Sequence, residues 1–341
     1  MNLKSLSVHL GLSQTTVSRA LNGYSDVSVE TRKRVEEAAK KYGYRPNASA
    51  RKLATGRSRA IGVSFPTDRN LLADPHFIEF LIGLTEQAAE CDYDLLLSAT
   101  KSDSIEGYQR TAGNGAVDLM VLSSLDLSEE RLDQLKDIGR PFIVHGRIEG
   151  REDYAYLDID NRQAFYLPTK LLLDLGHRRI AILNGPDGRH YSNQRAKGWA
   201  DALKEYSIEA DLNLTRGGVM SEEVGYRLAK DLLKQAERPT ALLCSSVVMA
   251  VGAYRAAGEL GLSVGSDVSI TAHDDGLPLV NPQRMEPALT VTHSPIRAAG
   301  KEIALMAKRF VGGVPLEQLK TVWDVELIYR PSVGAPRKKV D

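Results

Sequence analysis

The residues that could do chemistry lie together near the start of the chain. In LKSLSVHLGLSQTTVSRALNG, residues 3–23, Ser13 is followed by Gln14, Thr15, Thr16, Ser18 and Arg19. Short hydrogen-bonding side chains and one arginine are what a helix carries when it must enter a major groove. Gln14 can pair with an adenine edge and Arg19 with a guanine edge. Thr16 and Ser18 suit phosphate oxygens, contacts that fix register without reading sequence. On a helix, Val17 and Leu21 lie four apart and face inward, so Gln14, Thr15 and Arg19 project outward.

Those side chains need a frame, and the neighbouring residues predict one. A first helix is expected over roughly 2–10, with Leu3, Leu6 and Leu10 spaced for one inward face. Gly11 supplies a turn, and Ser13 is placed to cap the second helix. A third helix is expected from about Val29 to Tyr42, with Ser28 as its cap, Glu30 at its positive end and Gly43 at its exit. The segment YRPNASARKLATG follows. Pro46 breaks the chain, Asn47 can cap, and Ala48 to Thr55 makes barely two turns. So short a helix is marginal alone in water and should form only against DNA or a partner chain. Leu53 then fits a wedge driven into a minor-groove step. The alternative is a plain linker with Leu53 docked on the body.

Charge distribution supports a polyanion contact at this end. The chain has 44 Lys+Arg and 44 Asp+Glu, but residues 1–60 hold 12 of the former and 4 of the latter. A basic head on an acidic body places the nucleic-acid contact in the head. The full length of 341 residues implies two or three domains. The two cysteines, Cys91 and Cys244, have neither a disulfide framework nor zinc spacing, and two buried free thiols are expected. No apolar run approaches the roughly 20 residues of a spanning helix. No charged region followed by an apolar one marks a signal peptide, so a cytoplasmic protein is expected.

From residue 60 onward, strand-like apolar runs alternate with helical ones: AIGVSF, DLLLSAT, VDLMVLSS, PFIVHG, YAYLDID, RIAILNG, TALLCSS, DVSITAHDD and ALTVTHS. That alternation predicts parallel doubly wound sheets. Two units, near 61–159 and 160–290, would form two lobes, with 288–330 crossing between them. Ligands of such sheets bind at the carboxyl ends of the strands, here between the lobes. Asp160, Arg195 and Asp274 fall at or just after strand ends. Carboxylates accepting from vicinal hydroxyls, with an arginine donating, are what a sugar site needs.

Three separated blocks, LSQTTVSRALNG, VSVETRKRVEEAAKKYGYRPN and ARKLATGRSRAIGV, resemble the lac-repressor (LacI/GalR) family, and LGHRRIAILNGP and VGSDVSITAHDD continue the resemblance through the body. It implies an all-α helix-turn-helix head (1–46), a hinge helix (47–59), an α/β two-lobed domain similar to a type I periplasmic sugar-binding protein (60–330), and a flexible tail (331–341). It implies a homodimer on a pseudo-palindromic operator and a small-molecule effector, with no cofactor and no metal. Base contacts would fall on Gln14, Thr15 and Arg19, phosphate contacts on Ser13, Thr16, Ser18 and Ser28, and the wedge on Leu53. Asn22, Tyr44, Asn47 and Ala50 complete the expected DNA-facing set. Asp160, Arg195 and Asp274 match effector contacts. Asp74, His76 and Phe77 match a first-lobe pocket segment, with Phe77 placed to stack on a sugar face. Arg147 and Ser246 complete the expected pocket.

Departures from the family pattern bear on the ligand. Ser246-Val247 stands where members usually carry Asn-Asp, which lowers hydrogen-bonding capacity. Ala272-His273 replaces the usual Gly-aromatic, and His273 either titrates in the pocket or caps a strand. The head resembles regulators of α-glucoside uptake, so an α-glucoside effector is expected. The alternatives are a repressor that needs a purine-like corepressor, and a sugar-binding module that does not bind DNA. Enzyme readings fail on motif. There is no G-x-S-x-G elbow and no H-E-x-x-H. GNGAVD precedes a strand instead of following one, GPDGRH does not fit a P-loop, and His177 suits a structural turn.

Overall fold

The computed structural model describes residues 1–21, 23–44, 56–66, 74–100, 105–123 and 130–337. The expected hinge helix and Leu53 lie outside the described residues.

The head is three helices, α1 (Leu3–Leu10), α2 (Gln14–Leu21) and α3 (Val29–Lys41). Side chains cap each start. Asn2 Oδ1 accepts from the Ser5 N–H at 2.8 Å, Ser13 Oγ from the Thr16 N–H at 3.0 Å, and Ser28 Oγ from the Thr31 N–H at 3.2 Å. Gly11 turns the chain after α1 at φ +65°, a conformation glycine adopts without strain. Leu6, Leu10, Val17, Ala20, Val27, Val35 and Ala39 form the core of the head. Leu3 and Leu21, expected inward, are only half-buried, while Ala20 is fully enclosed. A three-helix head is too small to cover every apolar side chain.

The body contains two six-stranded sheets. The first has the order β11-β5-β4-β3-β1-β2, from β1 (Ala60–Pro66), β2 (Asp94–Thr100), β3 (Leu119–Ser123), β4 (Phe142–His145), β5 (Ala155–Ile159) and β11 (Lys320–Trp323). The second has the order β12-β10-β9-β8-β6-β7, from β6 (Ile180–Asn184), β7 (Thr215–Gly217), β8 (Ala241–Cys244), β9 (Ser269–Asp274), β10 (Thr290–His293) and β12 (Glu326–Ile328). The expectation of purely parallel sheets holds for the first. In the second, β12 runs antiparallel to β10.

Helices cover both sheets: α4 (Pro75–Glu90), α5 (Ile105–Gly113), α6 (Arg131–Asp137), α7 (Asn161–Asp174), α8 (His190–Glu205), α9 (Glu222–Leu233), α10 (Val247–Glu259) and α11 (Ile296–Val311). The chain passes between lobes after β5, after β10 and between β11 and β12. The middle passage is α11, which leaves the second sheet and packs on α4 of the first lobe. The two helices touch backbone to backbone, since a Cβ on Gly83 would lie 2.0 Å from the Arg297 carbonyl oxygen and one on Gly300 2.2 Å from that of Phe80.

The tail corrects an expectation. Residues 331–341 read as flexible, yet 331–337 are ordered against the second lobe. Ser332 Oγ donates to the Ile270 carbonyl at 2.7 Å and accepts from the Thr290 N–H at 2.8 Å, and the Gly334 carbonyl lies 2.8 Å from His177 Nε2. The segment threads between the starts of β9 and β10, where those strands have not yet paired, and satisfies their backbone groups. Cys91 and Cys244 are buried free thiols, as expected.

Candidate functional site

Two regions carry the expected chemistry. On the head, α2 buries Val17 and Ala20 and leaves Gln14, Thr15 and Arg19 exposed on the opposite side. Thr16 and Ser18 sit half-buried at the edges. Ser13 and Thr16 share a hydrogen bond at 2.8 Å, and Ser28 donates to Thr31 Oγ1 at 2.9 Å, so three of the expected phosphate-contacting hydroxyls are held by helix caps. Tyr44 packs half-buried against the core of the head. Asn22, Asn47, Ala50 and Leu53 lie outside the described residues. Arg19 Nη1 pairs with Asp26 Oδ2 at 2.8 Å, and its guanidinium lies 5.4 Å from the Tyr24 ring centroid. Asp26 carries no signal in the sequence, since it sits in a turn, where aspartate is ordinary.

The second region lies between the lobes. Arg195 of α8 is buried and held on three sides. Its Nε donates to Asn161 Oδ1 at 2.9 Å, and its Nη1 to the Ser245 carbonyl at 2.7 Å and Ser245 Oγ at 2.6 Å. Its guanidinium faces the Tyr191 ring at 5.1 Å and the Phe165 ring at 5.6 Å. Asn161 in turn donates to Asp158 Oδ1 at 3.2 Å, and Asp158 Oδ2 lies 3.3 Å from Arg147 Nε. Burial pushes the Asp158 carboxyl up to about 6, although Arg147 and Arg195 oppose the rise.

Asp275 is the acid at the centre. Its Oδ2 lies 3.4 Å from His76 Nε2 of the first lobe and its Oδ1 3.4 Å from His273 Nε2. Burial opposes charge on Asp275, yet His273, His76 and Arg195 together hold its carboxyl well below the usual carboxylate range. Burial also works against a proton on His76, but Asp74 and Asp275 raise the ring above its ordinary value. Asp74 caps α4, accepting from the His76 N–H and meeting His76 Nδ1, both at 2.9 Å. His145 stacks on Phe80 at 4.7 Å, and burial pushes it down to about 4. A second contact between the lobes joins Glu149 to Lys197 at 3.0 Å and to Gln194 at 3.1 Å, and the Glu149 N–H donates to His190 Nε2 at 3.1 Å.

The expected pocket residues divide. Arg195, His76, Asp74 and Arg147 join this network. Asp274 does not: its carboxylate accepts from the Gly276 N–H at 2.8 Å and faces His293 Nδ1 at 3.3 Å. Successive residues of extended chain point to opposite sides, so Asp275 shares the side of His273 and Asp274 takes the other. Asp160 caps α7 through the Gln163 N–H at 2.9 Å, and the carboxylate in the network is Asp158, two residues earlier and inside β5. Ser246 is buried and caps α10. Phe77 packs in the first-lobe core, 6.0 Å from Phe65, and offers no open stacking face. His273 does not cap a strand: it is buried within β9, between Thr292 and Ser294 hydroxyls at 3.1 Å each, with Nε2 also 3.4 Å from Asp275. Asn161, Ser245 and Asp275 escaped the sequence reading, and the side-chain alternation past the end of β9 was the signal for Asp275. Among the described residues, no group of His, Cys, Asp and Glu could hold a metal ion, and no helix is long and apolar enough to cross a membrane.

Comparison with known proteins bears on both regions. Residues 9–47 match the family of bacterial regulatory proteins, lacI family, and residues 169–333 match a periplasmic binding protein-like domain. The HTH-type transcriptional regulator AglR of Rhizobium meliloti (strain 1021) is 45% identical over 342 residues, covering 98% of this chain and 94% of that protein. Among solved structures, the transcriptional regulator CelR–cellobiose complex aligns with a TM-score of 0.71 at 27% identity, over 97% of this chain and 99% of that one. The lac repressor dimer bound to operator and the anti-inducer ONPF aligns with a TM-score of 0.80 at 25% identity, over 97% and 98%.

Proposed function

The chain belongs to the lacI family of bacterial regulatory proteins, and from that premise we propose that it is a homodimeric repressor of carbohydrate-utilisation genes, released from its operator by a sugar held between its lobes. It is a DNA-binding transcriptional regulator and not an enzyme. Each head would lay α2 in a major groove, with Gln14, Thr15 and Arg19 on base edges and Ser13, Thr16, Ser18 and Ser28 toward phosphates. Two heads related by a two-fold axis read a pseudo-palindrome. The site of action is the cytoplasm, where the chromosome lies.

The observation that carries the sugar assignment is the buried network around Arg195. It presents a guanidinium, an amide and the Asp158 and Asp275 carboxylates at one interface, a donor and acceptor set that suits a neutral polyhydroxyl ligand. The solved structure of CelR holds cellobiose, and the likeness of the head to α-glucoside regulators makes an α-glucoside the first ligand to try.

The coupling would run through the exit of the hinge. Arg57 Nη2 donates to the Val311 carbonyl at 3.0 Å, at the end of α11, the helix that descends from β10 of the second lobe. Asp118 accepts from the Ser58 N–H at 2.6 Å, Ser58 Oγ at 2.9 Å and the Arg59 N–H at 3.0 Å. A ligand that shifts the lobes thereby moves the anchor of the segment leading to the heads. It acts only to the extent that it binds the two lobe arrangements with different affinity.

The test is a thermal-shift screen against mono- and disaccharides, sugar phosphates and purines. It is followed by gel shift on a duplex that the chain selects from a randomised library. A sugar at about 100 times its dissociation constant should add roughly 2.7 kcal/mol to stability and release the duplex. A purine that stabilises the protein and tightens duplex binding would replace this reading with corepression.

A further inference from the structure

We propose that Asp26 is a positioning residue that sets how selectively the head reads DNA. The inference rests on α2 being the reading helix. Arg19 and Asp26 pair at 2.8 Å while each side chain stays 48% exposed. So exposed an ion pair adds little to stability, which leaves its place on the molecule to explain it. It lies toward the C-terminal end of α2, which also exposes Gln14 and Thr15, in the basic head of the chain. A carboxylate there repels the phosphates of any duplex and weakens binding to every sequence alike.

The compensating gain is selective. The pair ties down Arg19 Nη1, and Tyr24 backs the guanidinium at 5.4 Å. Tyr24 is itself fixed, its carbonyl accepting from Arg32 Nη2 at 2.8 Å. A guanidinium has five N–H donors in a rigid fork, and a guanine edge needs two of them. Held by one nitrogen, Arg19 meets base edges in a set orientation. Released, a long flexible arginine turns to the nearest phosphate, a contact blind to sequence. Asp26 therefore gives up general affinity in exchange for discrimination.

The experiment uses the full-length protein with Asp26→Asn, Asp26→Glu, Arg19→Ala, and a double variant that combines Asp26→Asn with Arg19→Ala. The probes are a duplex selected by the wild-type chain from a randomised library, that duplex with single base-pair changes, and poly(dI-dC). Asp26→Asn should tighten binding to poly(dI-dC) severalfold and steepen the log–log salt slope by about one per head. Discrimination at one base pair per half-site should fall about tenfold, and Asp26→Glu should restore it. On the Arg19→Ala background, Asp26→Asn should no longer affect discrimination. Unchanged discrimination in Asp26→Asn, or an equal loss of affinity on selected duplex and poly(dI-dC), would overturn the proposal. A wild-type chain that enriches no duplex would overturn the DNA-reading assignment as well, a result distinct from either of those.

Discussion

At the scale of single residues, the cleft owes its character to polar groups that are buried and bonded to one another. Arg195 is the hub, and its loss strands the partners. Arg195→Ala leaves Asn161 Oδ1 and the Ser245 oxygens without their donor. It should cost about 1–3 kcal/mol for each group left unsatisfied, measured by urea denaturation, and should abolish the sugar response. The neighbouring acids separate two accounts of the site. Asp275→Asn should remove the sugar-induced thermal shift, while Asp274→Asn, at a carboxylate turned toward Gly276 and His293, should leave most of it. Equal effects of the two changes would mean that both acids reach the ligand and that the network around Asp275 is not the binding centre.

At the scale of elements, caps and close approaches decide where the functional side chains stand. Ser13 begins α2 and so sets the rotation of Gln14, Thr15 and Arg19. Ser13→Ala should destabilise the head by about 1 kcal/mol, read from the melting of the helical signal of a head that retains wild-type ligand binding in the body. The ordered tail carries a larger share of the second lobe than its composition suggests. A chain ending at Arg330 loses the partners of Thr290, Ile270 and His177. It should melt lower by an amount reflecting at least about 1–3 kcal/mol. A truncated chain that melts like the full one would show that water replaces those contacts without loss. Between α4 and α11, glycine is required because each helix lies against the other's backbone. Under the proposed coupling, that contact would bear on how the lobes move, since α11 runs from the second lobe to the Val311 carbonyl that holds Arg57.

At the scale of the molecule, the head and the body are expected to work as separable parts of one chain. Removing residues 1–59 should abolish duplex binding and leave the sugar-induced thermal shift intact, and a duplex that still binds the shortened protein would relocate the DNA contact to the body. Stability against pH offers an independent check on the first lobe. His145 is pushed down to about 4 by burial, whereas the unfolded chain takes up that proton near 6.5. Its folded form is therefore favoured above pH 6.5 and loses ground as pH falls toward 4. Asp158, pushed up to about 6 by burial, acts with the opposite sign. The folded carboxyl takes a proton between about pH 6 and 4 that the unfolded chain mostly refuses, which favours the fold as pH falls. In urea denaturation between pH 4.5 and 7, His145→Asn should lower the slope of stability against pH and Asp158→Asn should raise it. Each change is bounded by about 1.4 kcal/mol per pH unit. Slopes unmoved by either change would mean that the two groups are solvated.

The sequence by itself determined the division into a basic three-helix head and a two-lobed α/β body. It also determined the outward face of α2 and the passage of the last segment between lobes. Caps, helical spacing and runs of buried apolar strand are local signals, and local signals are written in consecutive residues. Arg195 was legible for the same reason, as a charged group at the mouth of a strand–helix unit. Only the tertiary structure decided which carboxylates join the buried network between the lobes. Asp158 and Asp275 replace Asp160 and Asp274 there because a shift of one residue reverses the side on extended chain, and a residue placed just before a helix is drawn into capping it. Only the fold could show that Phe77 and Ser246 are spent on the core and a cap, that the polar tail is pinned between two strands, and that Asp26 reaches Arg19. Those outcomes depend on which distant groups arrive with unsatisfied hydrogen bonds or opposite charge, and chain order does not encode that arrival.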